Sequence, residues 1–191
     1  GAWRTALTVR SGEANIYLNR GTPPNLASNQ FKSERIGSDG FVVSATAFTA
    51  GANWYLRPRT LPRADWTLVS GEAFVTDLGS LALDGSSGSG NVTIGPEGLR
   101  FFKTSIPINT AAWRLGLNGV TNSVMVRKTY LPLPTNKDLI QSGQMLVVPN
   151  YLGVGQQHFV AICGTPTELV NLDSRQQPIT AYLLAHADAR R

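Results

Sequence analysis

Ser11-Gly-Glu-Ala-Asn-Ile-Tyr-Leu-Asn-Arg-Gly-Thr22 lines up with Asn118-Gly-Val-Thr-Asn-Ser-Val-Met-Val-Arg-Lys-Thr129 at an offset of 107 residues. Gly12/Gly119, Asn15/Asn122, Arg20/Arg127 and Thr22/Thr129 are identical. Downstream, Phe41–Gly51 lines up with Met145–Gly155 at an offset of 104, with Val43/Val147 and Gly51/Gly155 identical. Upstream of both blocks stands Ala-Trp-Arg, once at 2–4 and once at 112–114. Apolar blocks in the same order, with spacing that drifts by only a few residues, read as two tandem copies of one fold.

The blocks themselves have the pattern of strands. Trp3–Val9, Asn15–Asn19 and Asn53–Arg57 are short, rich in aromatic and β-branched residues, and closed by Gly, Pro or Asn. The second copy offers Trp113–Leu117, Ser123–Arg127, Gln144–Val148 and His158–Cys163, while Asp65–Val69, Phe74–Leu78, Asn91–Ile94 and Leu99–Ser105 supply further strands. The end, Ile179–Arg191, reads as a strand that frays into a short helix or tail. Short strands at this spacing predict an all-β chain of two tandem antiparallel β-sandwich, jelly-roll-like domains. Asp84-Gly-Ser-Ser-Gly-Ser-Gly90 is the expected linker between domains at 1–83 and 91–191.

Composition narrows the function. The chain has 191 residues, a formal charge of +5, 15% charged residues, one Cys and two His. One Cys rules out an internal disulfide framework and a cysteine-rich zinc site. No apolar run approaches the ~18–20 residues of a helical membrane span, and no signal peptide opens the sequence.

Glu13-Ala-Asn-Ile-Tyr-Leu-Asn-Arg-Gly-Thr-Pro-Pro24 resembles the D-A-D-L-Y-V-R-x-G-x-x-P core of bacterial pre-peptidase C-terminal (PPC) domains. Ala50-Gly-Ala-Asn-Trp-Tyr-Leu56 is similar to that family's A-G-T-W-Y-V strand. Phe101–Pro107 followed by Trp113–Gly119 is similar to its opening Y-F-x-V-P-x-G … L-x-V-x-L-x-G. The resemblance implies a compact β-sandwich appended to secreted enzymes or surface proteins, non-catalytic, serving binding, solubility or assembly, with calcium bound in some members. The family's two aspartates correspond here to Glu13 and Asn15 in copy one and to Val120 and Asn122 in copy two. Calcium prefers several hard oxygen ligands, usually including carboxylates. The resemblance therefore leaves Glu13 and Asn15 as the candidate calcium ligands, in copy one only, and no other cofactor is expected. Copy one opens at Gly1-Ala2-Trp3, past the family's first strand. The expectation is a piece of a longer protein, or a first domain that receives this strand from a neighbouring subunit.

Side chains that carry chemistry are few. Ser86, Ser87 and Ser89 lie in the Gly/Ser run without a nucleophile elbow. Cys163 sits among apolar residues and His158 takes the position of Trp54, so both read as packing residues, while His186 lies in the tail. The acids are scattered and mostly at turns. Arg57, Arg59 and Arg63 form one of the densest basic spots, beside Arg127-Lys128 and Arg190-Arg191. No nucleic-acid motif accompanies them, so weak attraction to anionic polymers is expected and specific nucleic-acid binding is not. Trp3 and Trp113 recur at matched positions and read as core, as do positions 54 and 158. Trp66 has no aromatic counterpart and is the candidate exposed contact. Asn91-Val-Thr93 matches a glycosylation sequon, a pattern common by chance.

These readings point to a non-catalytic extracellular or cell-surface module, a spacer or a subunit of an assembly. Its partners would be other copies of itself or other parts of a longer parent chain. The alternative is a carbohydrate- or protein-polymer-binding accessory module of a secreted hydrolase, with Trp66, Arg57, Arg59 and Arg63 as contacts.

Overall fold

The computed structural model describes residues 2–47, 51–82, 88–118, 122–148 and 151–177. The chain divides into two compact units, Gly1–Phe74 with Gly95–Leu99, and Val75–Ile94 with Arg100–Arg191. In the first, six strands run in chain order: β1 (Trp3–Ser11), β2 (Ala14–Arg20), β3 (Phe31–Ser33), β4 (Asp39–Val43), β5 (Trp54–Thr60) and β6 (Asp65–Glu72). They form two antiparallel sheets of order β4-β1-β6 and β3-β2-β5. Alternation along each strand sends one set of side chains between the sheets. Leu7, Ala14 and Ile16 are fully buried there, with Val9, Phe41, Trp66 and Leu68 packed against them.

Gly12, at φ +77°, makes the turn from β1 to β2, and a Cβ on it would lie 2.8 Å from the Ala64 Cα. Both the left-handed backbone and the close approach of the β5–β6 turn require glycine here.

The second unit holds β7 (Val75–Ser80), β8 (Asn91–Thr93), β9 (Leu99–Ser105, apart from Leu99), β10 (Ala112–Leu117), β11 (Ser123–Arg127), β12 (Leu139–Ser142), β13 (Gln144–Val147), β14 (Gln157–Cys163) and β15 (Leu169–Gln177). Their sheets have the orders β13-β10-β15-β8 and β12-β11-β14-β9-β7. The order β4-β1-β6 thus recurs as β13-β10-β15, and β3-β2-β5 recurs as β12-β11-β14. A larger core fills this unit, with Trp113, Leu115, Val124, Val126, Val160 and Ile162 all at 0% exposure.

Two side-chain devices recur with the strand order. Trp3 donates from Nε1 to Ser70 Oγ at 2.6 Å, and Trp113 donates to Ser174 Oγ at 2.9 Å. Trp3 meets Trp54 edge-on at 6.4 Å between ring centres, and Trp113 meets His158 edge-on at 5.7 Å.

The all-β character expected from the sequence is present and most of the described pairings are antiparallel, but β7 pairs with β9 in parallel. That pairing moves the boundary. The expected first domain ran to residue 83, but Val75–Ser80 satisfies its backbone on β9, so the first unit ends at Phe74. Gly95–Leu99 belongs to the first unit instead of the second. Arg4 Nε donates to Glu97 Oε1 at 2.6 Å, Arg35 Nη2 donates to Pro96 O at 2.7 Å, and Gly40 leaves the space that Glu97's backbone fills, 2.8 Å from where a Cβ would stand. The expected linker is not wholly free either: Ser89 N donates to Leu172 O and Leu172 N donates to Ser89 Oγ. Residues 83–87, with Ser86 and Ser87, lie outside the described residues, as do Val120, His186 and the whole of 178–191.

Candidate functional site

On the side of sheet β3-β2-β5 opposite Ala14 and Ile16, Tyr17 stands at the centre, itself fully buried at 1% exposure. Tyr17 stands directly opposite Arg57 on β5, and Asn15 stands opposite Arg59. The period of two puts Tyr55, Arg57 and Arg59 on this same face. The segment between β2 and β3 crosses in front of it, held by its own turn chemistry. Asn25 Oδ1 accepts from Ala27 N at 2.9 Å and from Ser28 N at 2.8 Å, and Asn29 Nδ2 donates to Asn25 O. Between segment and sheet lies a cleft of about 290 Å³, lined by Tyr17, Asn25, Leu26, Ala27, Arg57 and Arg59.

The charges around this cleft are unequally matched. Tyr17 Oη donates to Glu34 Oε1 at 2.6 Å, and Lys32 Nζ donates to Glu34 Oε2 at 2.7 Å. Glu34 is thus already shared by a cation and a phenol, which hold its carboxyl below the usual range. Burial, followed by the Glu34 hydrogen bond, pushes the Tyr17 phenol up and keeps it neutral. Arg57 makes one long contact, 3.4 Å from Nη1 to Pro24 O. Arg57 forms no ion pair with a described acid, whereas Arg59 is engaged: its hydrogen bond and charge oppose the rise at the Tyr17 phenol, and its charge helps hold the Glu34 carboxyl down.

Of the four expected contact residues, the fold brings together two. Arg63 lies in the β5–β6 turn with φ +67° and does not line the cleft. Trp66 is half-buried and packs its ring against the core of the first unit, which leaves little of it for a ligand. Tyr17, Leu26 and Ala27 were not singled out by the sequence. The available signal was Tyr17's place in the alternation Ala14-Asn-Ile-Tyr-Leu18, where Ala14, Ile16 and Leu18 take the core side.

Glu13 and Asn15 do come together, around a third residue that sequence reasoning missed. Asp39 is fully buried; its Oδ1 accepts from Ser33 Oγ at 2.5 Å and from Arg35 N at 2.9 Å, with Arg35 Nε 3.7 Å away. With its amide nitrogen turned toward the carboxylates, Asn15 donates to Glu13 Oε1 and Asp39 Oδ2, both at 3.2 Å. Glu13 Oε2 accepts from Gly37 N at 3.0 Å. Burial pushes the Asp39 carboxyl up, and the nearby Glu13 charge adds to that push against the hydrogen bonds and Arg35. Calcium takes six to eight oxygens. At most three in this cluster remain for it, one carboxylate oxygen each from Glu13 and Asp39 and the Asn15 oxygen, and Arg35 already supplies a positive charge. The donors present do not fit a calcium site, and the cluster reads as a hydrogen-bonded clasp joining the β1–β2 turn to β4. In the second unit Asn122 donates to Glu168 Oε1 at 3.0 Å.

The groups that could have carried chemistry are engaged in packing. His158 is fully buried, edge-on to Trp113 and to Tyr151 at 6.1 Å, with its Nε2 unpartnered. Burial holds its imidazole below the ordinary histidine range. Tyr151 Oη donates to Asp138 Oδ2 at 2.5 Å, and Lys128 Nζ sits 4.5 Å over the Tyr151 ring. Cys163 is half-buried at the end of β14. Among the described residues no helix is long and apolar enough to cross a membrane. No family model matches this sequence, and no curated protein matches it.

Proposed function

We propose that the chain is a non-catalytic structural module of an extracellular or cell-surface protein, a spacer or a subunit of an assembly, built from two PPC-like copies of one sandwich. One observation carries the assembly reading. In the second unit, β14 and β15 each have a further strand on their outer side, β9 and β8. Their counterparts in the first unit, β5 and β6, are outermost among the described residues. An open strand presents unpaired N–H and C=O groups that add another strand readily.

The two open strands differ as acceptors. Pro58, in the middle of β5, has no N–H to give, and prolines of this kind blunt an edge. The strand β6 has eight residues, Asp65-Trp-Thr-Leu-Val-Ser-Gly-Glu72, with neither proline nor lysine. The proposed occupant of the β6 edge is a strand of a second copy of this chain. Sedimentation velocity over a wide concentration range tests this: the wild-type chain should associate, and Val69→Lys, at a residue 55% exposed on β6, should return it to monomer. A wild-type chain that stays monomeric at every concentration overturns the reading. The second reading, a polymer-binding accessory module, is favoured by an open polar groove on the second unit.

A further inference from the structure

We infer that a shallow polar groove on the outer face of sheet β13-β10-β15-β8 binds a neutral, hydroxyl-rich polysaccharide, with the side-chain amides of Asn91, Asn118, Gln144 and Asn171 reading its hydroxyls and Gly116 leaving room for a ring. This rests on the polymer-binding reading and is independent of strand addition at β6.

The groove follows from the register. Leu115, Leu172 and Ser174 are fully buried, so the alternation along β10 and β15 turns Gly116, Asn171 and Asp173 outward. Gln144, Gly116 and Asp173 stand opposite one another across β13, β10 and β15 and form one row. The adjoining row is asparagine throughout. Asn171 stands opposite Asn91 on β8, and Asn118, just past the end of β10, accepts from Asn171 N at its Oδ1, 2.5 Å away. Gly116 has no side chain, so the first row is open in its middle. The two rows border a space of about 370 Å³ whose lining is more polar than apolar.

Chemistry decides the ligand. No described residue pairs with the side-chain amides of Asn91 and Asn171. Gln144 Oε1 accepts one long contact, 3.4 Å from Arg114 Nη2. A side-chain amide offers donors and an acceptor side by side, and each hydroxyl of a sugar likewise donates and accepts. The charged lining is one residue of each sign, Arg114 and Asp173, so a carboxylate polymer would meet a carboxylate beside the guanidinium. A peptide gains most from an open strand edge, whereas this groove lies on a sheet face whose backbone groups already pair. Neighbouring strands lie about 4.8 Å apart, close to the length of one pyranose ring, so a sugar chain laid across β10, β15 and β8 meets one asparagine per ring.

The first unit lacks this groove. Its matching row is Gly40, Ala6 and Val69, and Thr8 opposite Thr67 takes the place of Asn118 and Asn171. Glu97's backbone fills the space over Gly40, 2.8 Å from where a Cβ would stand. One site per chain is therefore expected.

Calorimetric titration of the intact chain with cellohexaose, xylohexaose and maltohexaose provides the test, with polygalacturonate and poly-L-glutamate as charged comparators. Saturable binding of at least one neutral hexasaccharide, one per chain, is expected. Gly116→Leu removes no polar group and meets no clash, since a Cβ there would stand 3.8 Å from the Asp173 Cβ. It fills the groove and should weaken binding by about tenfold or more. Its urea midpoint should not fall, because glycine weakens a strand interior. The double variant Asn91→Ala/Asn171→Ala should weaken binding to a similar degree. Thr67→Leu, which adds bulk on the matching face of the first unit, should leave it unchanged. Undiminished binding by either groove variant, or tighter binding of a charged polymer, overturns this site while leaving the polymer-binding reading in place. A chain that binds none of the five overturns both.

Discussion

The two units share a strand order and a tryptophan device, yet they bury very different amounts of it. In the second unit Trp113 is at 0% exposure within a core of fifteen buried residues, while in the first Trp3 is half-buried and, among the described residues, Leu7, Ala14, Ile16, Tyr17, Leu18 and Val43 are the fully buried hydrophobics. The difference traces to the flanking strands. Strands β8 and β9 extend the second unit's sheets and β9 brings Phe102 into its core, whereas β5 and β6 are outermost among the described residues. Hydrophobic stabilisation scales with apolar area removed from water, so one strand plan yields two domains of unequal strength.

The sharpest way to break that comparison is to remove the shared tryptophan from each unit. Trp113→Ala deletes a fully buried indole and leaves Ser174 without its donor, a loss of about 3–5 kcal/mol. Trp3→Ala should cost markedly less. Urea unfolding followed by residue-resolved amide exchange separates the two; fluorescence does not, because Trp3, Trp54 and Trp66 lie in the first unit and Trp113→Ala leaves the second without a tryptophan. The first unit is expected to unfold at lower urea in the wild type. Equal costs for the two substitutions would mean that burial does not distinguish the units.

The next effect concerns how the weaker unit compensates. It draws in Gly95–Leu99, remote in sequence, through the Glu97 carboxylate, whose side chain is 3% exposed against Arg4 at 25%. Glu97→Ala should destabilise the first unit by about 1–3 kcal/mol, because Arg4 regains water once its partner is gone. Amide exchange should then rise at 95–99 and along β1 and β4, with the core strands of the second unit unaffected. Loss of protection on β10 and β11 instead would show that the segment serves the wrong unit.

What the sequence disclosed follows the same division. Strands β1, β2, β10, β11 and β14 were legible because their apolar and β-branched residues stand between turn formers. Strand β15 was not, although it is central to its sheet. Its second half, Ser174-Arg-Gln-Gln177, buries Ser174 and Gln176 by hydrogen bonds to Trp113 and to Thr110 Oγ1, and polar burial leaves no hydrophobic period to read. The strand at 75–80 was visible as a strand but assigned to the wrong unit, since a parallel pairing with β9 leaves no local trace. In the cleft, the Arg57-x-Arg59 spacing was readable. Tyr17's role was hidden because the segment covering it is placed by Asn25's turn bonds, not by any apolar pattern.

The smallest expected effect sets the units against each other in acid. Trp54 in the first unit has no charge to gain, while its counterpart His158 is held below the ordinary histidine range, first by burial, then by Lys128, with Asp138 and the Gln156 carbonyl opposing. Between its folded value and about 6.5, the unfolded chain binds a proton that the folded unit refuses. The His158 contribution is therefore complete above about pH 6.5 and is lost as pH falls below it. Asp39 in the first unit works in the opposite sense. Burial raises its pKa, so the folded unit keeps a proton that the unfolded chain has lost, and that contribution is present in acid and lost as pH rises through the folded value. Urea midpoints taken between pH 7 and pH 4 should show the second unit weakening on acidification. His158→Phe, which fills the same aromatic contact without titrating, should flatten its slope. Asp39→Asn, which can still accept from Ser33 and Arg35, should leave the second unit's slope alone and make the first unit's fall steeper, by removing the gain that protonating Asp39 supplies. An unchanged slope in His158→Phe would mean that the imidazole takes up its proton without opening the Trp113 contact.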